Sequence, residues 1–184
     1  MNATPTLLLM AGLPGAGKST LAGSLGRALG WPVLDKDTVK TTLLQLGAEE
    51  SLAGQASYEV LFDLARDLVV TQRLSIILDW PTFYPRVIEV CGAIAADADG
   101  ALRVVFCAAD RETRDRRTRD RVSRISQFGH AGRPTTTRPD SDGDGRELFP
   151  FLPAETLTVI TEGPVGALVE ALLSKLKISV NRAG

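Results

Sequence analysis

Short, wholly apolar runs alternate along this chain with longer stretches in which leucine, valine and isoleucine recur every three or four positions. A run of four to six apolar residues bounded by turn signals fits a strand buried on both faces, and the 3–4 spacing fits the inner stripe of a helix. Thr6–Ala11 is the first strand-like run, and Ser19–Leu29, with Leu21, Leu25 and Leu29 in phase, is the first helix. Gly30 is placed to close that helix in the left-handed conformation. Val33–Asp35 is a second, short strand reached through Trp31 and Pro32. Thr38–Leu46 reads as a helix capped by Asp37 or Thr38 and closed by Gly47. A longer amphipathic helix over Ser57–Arg73 turns Val60, Leu61, Leu64, Leu68 and Val69 inward, with Tyr58 and Phe62 as packing residues. Ser75–Asp79 and Ala101–Cys107 are further strands, separated by a helix that starts at Pro85 and runs to about Ala96. Thr156–Thr161 and Val165–Lys177 supply a last strand and helix. Strands that alternate with helices in this way build a parallel sheet with helices on both faces. The expectation is an α/β fold in three layers, with five parallel strands.

Composition narrows the class without naming the chemistry. The 184 residues are 44% hydrophobic and carry a formal net charge of −1, which suits one domain spanning 1–184 with a substantial core. The sequence pI of about 5.9 gives no global attraction to nucleic acid or an anionic membrane. No window approaches 18 apolar residues, and the N-terminus lacks a charged region followed by an apolar stretch, so a cytoplasmic protein that does not engage membranes is expected. Cys91 and Cys107 lack metal-ligand spacing and read as buried small apolar residues.

Chemistry enters at Gly12-Leu13-Pro14-Gly15-Ala16-Gly17-Lys18-Ser19, which matches G-x-x-x-x-G-K-[ST] in full between a strand and a helix. That pattern lets glycines curl the backbone so that amides point at phosphate oxygens at a helix N-terminus. Gly12, Pro14, Gly15, Ala16, Gly17, Lys18, Ser19 and Thr20 are therefore the expected nucleotide contacts, with Lys18 reaching the β and γ phosphates and Ser19 ligating Mg²⁺. Two further acids end strands at the edge where this loop lies. Asp37, in the cluster Asp35-Lys36-Asp37, either caps the next helix or faces a ligand. Asp79 either bonds loop amides or lies near Mg²⁺ and its water shell. After it, Trp80, Phe83 and Tyr84 place three of the ten aromatic residues within five positions; they either stack on an acceptor molecule or pack the core.

Seven of the sixteen arginines fall between positions 111 and 124, against the acids Asp110, Glu112, Asp115 and Asp120. A solvated face laced with i, i+4 pairs accounts for most of them. The choice of arginine over lysine points to phosphate recognition by planar guanidinium forks, for which Arg116, Arg119 and Arg121 are the candidates. Residues 127–146, rich in Gly, Pro, Thr and Asp, read as a mobile loop, so that a lid spans about 110–150. His130 in that loop is either solvated or a substrate-facing acid or base.

This order of strand, phosphate loop, acid-ended strands and Arg-rich helix resembles the small P-loop kinases, over most of residues 6 to 125. More narrowly it is similar to the kinase module of polynucleotide 5′-kinases, chloramphenicol phosphotransferase and zeta-toxin-like proteins, an AAA-type ATP-binding family of small kinases. Those polynucleotide kinases carry a basic-Asp-x-x-basic motif after the second strand. Here it is Lys36-Asp37-Thr38-Val39-Lys40, with Lys40 where those kinases have arginine. The resemblance implies that Asp37 is the general base, that Lys40 contacts substrate, and that lid arginines fall near Arg116 and Arg119 or Arg121. It also implies that Asp79, six residues before Pro85, closes the third strand. The expected activity is transfer of the γ-phosphoryl group of ATP, with Mg²⁺, to a hydroxyl of a small molecule, with Lys18, Asp37, Arg116 and Arg121 catalytic. Substrate contacts would come from Asp37, Lys40, Asp79, Trp80, Phe83 and Tyr84, and metal contacts from Ser19 and Asp79. A polynucleotide 5′-hydroxyl is a less favoured acceptor, because a broader basic surface would accompany it. A nucleotide-dependent switch or ATPase without an acceptor is the reading from another class.

Overall fold

A computed structural model describes residues 4–120 and 141–177. Five parallel strands form one sheet in the order β2-β3-β1-β4-β5: β1 (Thr6–Ala11), β2 (Val33–Asp35), β3 (Ile76–Asp79), β4 (Ala101–Ala108) and β5 (Leu157–Ile160). The apolar runs of β1, β3 and the second half of β4 are covered on both sides, as the interior of a parallel sheet requires, while the edge strands β2 and β5 stay partly exposed. Along β1, Leu7, Leu9 and Ala11 point into one core and Leu8 and Met10 into the other, all at 0% exposure. α1 (Lys18–Leu29) and α6 (Val165–Leu176) close the second core through Leu21, Leu25, Val169 and Leu172. α3 (Glu50–Arg66) and α4 (Pro85–Asp97) close the first through Leu61, Phe62, Val87 and Ile94. α2 (Lys36–Gln45) packs on α3, and α5 (Arg111–Asp120) follows β4. The expected three-layer α/β architecture is the one observed. Cys91 and Cys107 are free and buried, and burial pushes both thiols up to about 12.

Two helix starts differ from the sequence expectation, for identifiable reasons. α2 begins at Lys36, because Asp35, in extended geometry, is the cap: its Oδ1 accepts from the Asp37 amide at 2.8 Å. Neither Asp37 nor Thr38 caps it. α3 begins at Glu50, seven residues before Ser57, since its first inward positions are Ala53 and Ser57, too small to show as a hydrophobic stripe. Its buried line Ala53, Ser57, Leu61 and Ala65 recurs every four residues and leaves Val60 and Leu64 43% and 45% exposed. A π-helical turn at Asp67–Thr71 follows and brings Val69 into the core.

The carboxyl ends of β1, β2 and β3 lie at one edge, where Asp35 pairs with Asp79 in register across β2 and β3. Ligands of open parallel sheets bind outside this edge.

Candidate functional site

The loop from Gly12 to Gly17 turns between β1 and α1 on glycines that no other residue could replace without strain. Gly12, at φ 129°, faces the Cys107 carbonyl oxygen so closely that a Cβ there would collide with backbone. Gly15, at φ 79°, lies as close to the Arg114 carbonyl of α5. Gly17 is the left-handed residue from which α1 starts, and the first turn of α1 carries no acidic side chain, so the positive end of the helix faces the cleft. The Lys18 ammonium donates to the carbonyls of Gly12 and Leu13 at 2.9 and 3.0 Å, which holds it arched over the loop.

This loop is one wall of a cleft of about 580 Å³. Pro14, Gly15, Gly17, Lys18, Ser19 and Thr20 line it, with Asp35, Asp37, Asp79, Trp80 and Phe83 opposite. Gly12 and Ala16 shape the loop from beneath it; Ala16 is fully buried. At the other end the cleft is walled by Leu21, Thr161, Gly163, Val165 and Leu168. Four carboxylates, Asp35, Asp37, Asp79 and Asp120, therefore share one cleft with the ammonium of Lys18 and the hydroxyl of Ser19.

Asp79 is 7% exposed and bonded to the Ser19 hydroxyl. Burial raises its carboxyl above the ordinary 3.8, aided by Asp35 and Asp37, while Ser19 and Lys18 act to lower it. A carboxylate raised on folding subtracts stability as pH climbs from its unfolded value through its folded one. Asp79→Asn is therefore expected to match the parent in chelator-treated urea melts near pH 3.8, then to gain over it as the pH rises; a gap independent of pH would contradict the assignment.

Ser19 Oγ and the Asp79 carboxylate are hard oxygen donors placed together. Among the described residues no three His, Cys, Asp or Glu side chains converge tightly enough to hold a metal ion. The pair fits Mg²⁺ in the usual manner for that ion, which takes one or two protein oxygens and completes its shell with water and phosphate.

Among the described arginines, Arg117 is the one that lines the cleft, a residue not singled out from the sequence. Its Nη1 donates to Thr161 Oγ1 at 3.0 Å and its Nη2 to the Thr161 carbonyl at 2.7 Å. Thr161 Oγ1 in turn lies 2.8 Å from the Ala16 carbonyl of the phosphate loop. α5, the end of β5 and the loop are thereby tied in one chain of bonds. Arg116 and Arg119 lie on the exposed face of α5 and are not among the residues that line the cleft; the helix phase puts 113, 114 and 117 inward. Arg114 is 3% exposed and donates to the carbonyls of Ser141 and Gly143, and Arg111 pairs with Asp142, which ties α5 to residues 141–143. Arg121, Arg124, His130 and most of the 127–146 loop lie outside the described residues. Thr161→Val keeps the shape and removes the hydroxyl. It is expected to cost about 1–2 kcal/mol in urea melts and to raise the KM for ATP severalfold; an unchanged KM would show that the clasp does not hold the loop.

The aromatic residues after Asp79 divide. Trp80 is fully buried, with its indole N–H donating to the Leu34 carbonyl at 3.0 Å and its ring edge-on to Phe62 at 5.3 Å. It is a core residue that only edges the cleft, which corrects the expectation of substrate stacking. Phe83 stacks on Phe149 at 5.0 Å and, with Pro81, forms the partition between the cleft and a second cavity of about 770 Å³. Tyr84, 59% exposed, stands at that second cavity, as does Lys40. Lys36 also lines it.

The model of the AAA domain family matches residues 7–131, and the chain belongs to that family. No curated protein matches at a significant level. A candidate kinase from Chloroflexus aurantiacus is similar at 22% identity, with a TM-score of 0.69 over 94% of this chain and 99% of that one. A gluconokinase from Sinorhizobium meliloti is 16% identical, TM-score 0.56, over 96% and 94%. The APS kinase CysC of Mycobacterium tuberculosis, solved with AMPPNP and APS, is 19% identical, TM-score 0.59, over 95% and 98%. At these identities the likeness is one of fold: a five-stranded parallel sheet flanked by helices, a P-loop kinase-like α/β fold.

Proposed function

We propose that this AAA domain protein is an ATP-dependent kinase that transfers the γ-phosphoryl group to a hydroxyl of a small molecule. The observation that carries the reading is the pairing of two cavities across Pro81 and Phe83, one built on the phosphate loop and the other suited in size to a small acceptor. Pockets of 300–1,000 Å³ hold small ligands, and a switch or ATPase that uses water has no need of the second one. The kinase structures among the fold's relatives, including one solved with AMPPNP and APS, favour the same class.

In this reading the triphosphate lies along the loop amides and the N-terminus of α1, where oriented N–H groups meet negative charge. Its base rests toward Leu21, Val165 and Leu168. Lys18 neutralises charge on the β and γ phosphates as it is redistributed, and Arg117 adds a second cation from α5. Ser19 and Asp79 would hold Mg²⁺, which would supply charge neutralisation to the phosphates. Asp37 accepts the proton of the acceptor hydroxyl. It lines the nucleotide cleft while Lys36 and Lys40, on the same helix, line the second cavity, so it stands where the two meet. Phosphoryl transfer asks chiefly for such positioning, and an ionised aspartate within hydrogen-bond reach is a competent base.

The test is a panel of hydroxyl-bearing metabolites, antibiotics and 5′-hydroxyl oligonucleotides incubated with protein and Mg²⁺-ATP, with products read by mass. A gain of one phosphoryl group on a small acceptor supports the reading. Phosphorylation confined to oligonucleotides would move the assignment to the polynucleotide class, and ATP hydrolysis with no modified acceptor would move it to the ATPase class.

A further inference from the structure

We propose that the hydroxyls of Thr82 and Tyr58 are positioning groups for phosphoryl transfer: they hold the wall between the two cavities in register with the phosphate loop and so align the acceptor hydroxyl on the γ-phosphate. This rests on the kinase reading above. β3 ends at Asp79, which lies in register with Met10 of β1. Three residues on, the chain comes back to that same residue. Thr82 is fully buried, and its hydroxyl donates to the Met10 carbonyl at 2.9 Å, with the Trp80 carbonyl at 3.2 Å as a second acceptor. Met10 stands two residues before Gly12, so the bond ties the wall to the strand that carries the phosphate loop. Valine would fill the same space with no polar atom to satisfy, so the hydroxyl contributes direction rather than volume.

Burial alternates along this segment. Trp80 and Thr82 are 0% exposed, while Pro81 and Phe83 are half-buried and line both cavities. Thr82 is thus the inward anchor between the two residues that form the wall. A second anchor comes from α3, where the Tyr58 hydroxyl donates to the Pro81 carbonyl at 2.7 Å. Three consecutive residues are thereby bonded to three different elements: Trp80 to β2 through the Leu34 carbonyl, Pro81 to α3 and Thr82 to β1. Phe83, next in line, has only its stack on Phe149 to hold it, a contact without the direction of a hydrogen bond, so its place follows from the anchors before it. Asp79 does not depend on the wall, because the sheet holds it in register with Met10 on one side and Asp35 on the other. Loss of either hydroxyl should then spare the nucleotide and harm transfer, since a misplacement of about 1 Å at the reacting groups can cost about 10²-fold.

Thr82→Val, Thr82→Ser and Tyr58→Phe test this in the full-length protein, with Mg²⁺-ATP and the best accepted of glycerol, D-ribose, D-glucose, adenosine and benzyl alcohol. Transfer is read by mass, ADP release with and without acceptor by a coupled assay, and ATP affinity by calorimetry. Thr82→Val and Tyr58→Phe should each lower the kcat of transfer about tenfold to a hundredfold. ATP affinity and acceptor-independent hydrolysis should change little. The yield of phosphorylated acceptor per ATP consumed therefore falls, and Thr82→Ser, which keeps the hydroxyl, restores it. A purely structural role would lower the folded fraction and reduce transfer and hydrolysis by one common factor. A yield per ATP that stays at the parent value therefore overturns the inference and leaves the kinase reading in place, as does full transfer by the valine and phenylalanine variants. Should Thr82→Val fail to fold, Tyr58→Phe decides. A parent protein that binds ATP and phosphorylates none of the five alcohols overturns the two together.

Discussion

Lys18→Ala is expected to lower turnover by at least about 10²–10³-fold, the range for loss of one preorganised charge-stabilising donor, and to weaken Mg²⁺-ATP binding in calorimetry. The argument is geometric. The ammonium is held over the loop by the carbonyls of Gly12 and Leu13 at 2.9 and 3.0 Å, with the Ser19–Asp79 bond beside it. Any phosphate seated on the loop amides therefore meets it, and Arg117, committed to Thr161, is not placed to substitute. The same change should leave the fold intact. Lys18 is the first residue of α1, where a cation opposes the helix dipole, and alanine is the best helix former, so the melting temperature should hold or rise slightly. Full ATP affinity and turnover in a well-folded Lys18→Ala protein would remove the site assignment altogether.

Much of this arrangement was legible in the sequence because it rests on strong local signals. The apolar runs of β1 and β3 are buried along nearly their whole length, and the glycines of 12–17 have few uses other than a loop with left-handed turns. The misreadings have physical causes of another kind. α3 starts early because a helix can bury Ala53 and Ser57 as well as leucines, and small residues leave no periodic trace. The arginine of α5 that reaches the cleft is set by helix phase, and a segment with arginine at nearly every second position carries no apolar stripe from which phase could be taken; only Thr113 and Arg114 are buried on it. Trp80 and Phe83 differ in fate by the alternation of a chain leaving a buried strand, which composition does not reveal. The second cavity was invisible for a simpler reason: α2, α3 and the loop before α4 come together only in the fold, and Lys36, Tyr58 and Tyr84 belong to three separate elements.

Asp37→Asn is the change that separates a kinase from a nucleotide-binding switch. The cleft holds four carboxylates; Asp120 is the last residue of α5, and two of the other three have structural duties. Asp35 caps α2, its two oxygens accepting from the Asp37 amide at 2.8 Å and the Thr38 hydroxyl at 3.2 Å. Asp79 bonds Ser19 at the place suited to Mg²⁺. Asp37 lies in the first turn of α2, lining the cleft of the phosphate loop while its helix neighbours Lys36 and Lys40 line the second cavity. An amide of the same shape keeps the helix, since the cap belongs to Asp35, and lacks the ability to take a proton. The expected result is a fall in acceptor phosphorylation of about 10²–10⁴-fold, the usual worth of a positioned general base, with Mg²⁺-ATP affinity changed little. Acceptor-independent ATP hydrolysis should survive the substitution, since water at the γ-phosphate does not depend on a base set for the acceptor. If ATP affinity falls in step with turnover, Asp37 serves the nucleotide and its metal instead, and if phosphorylation continues undiminished, the proton leaves by another route and the base assigned here is wrong.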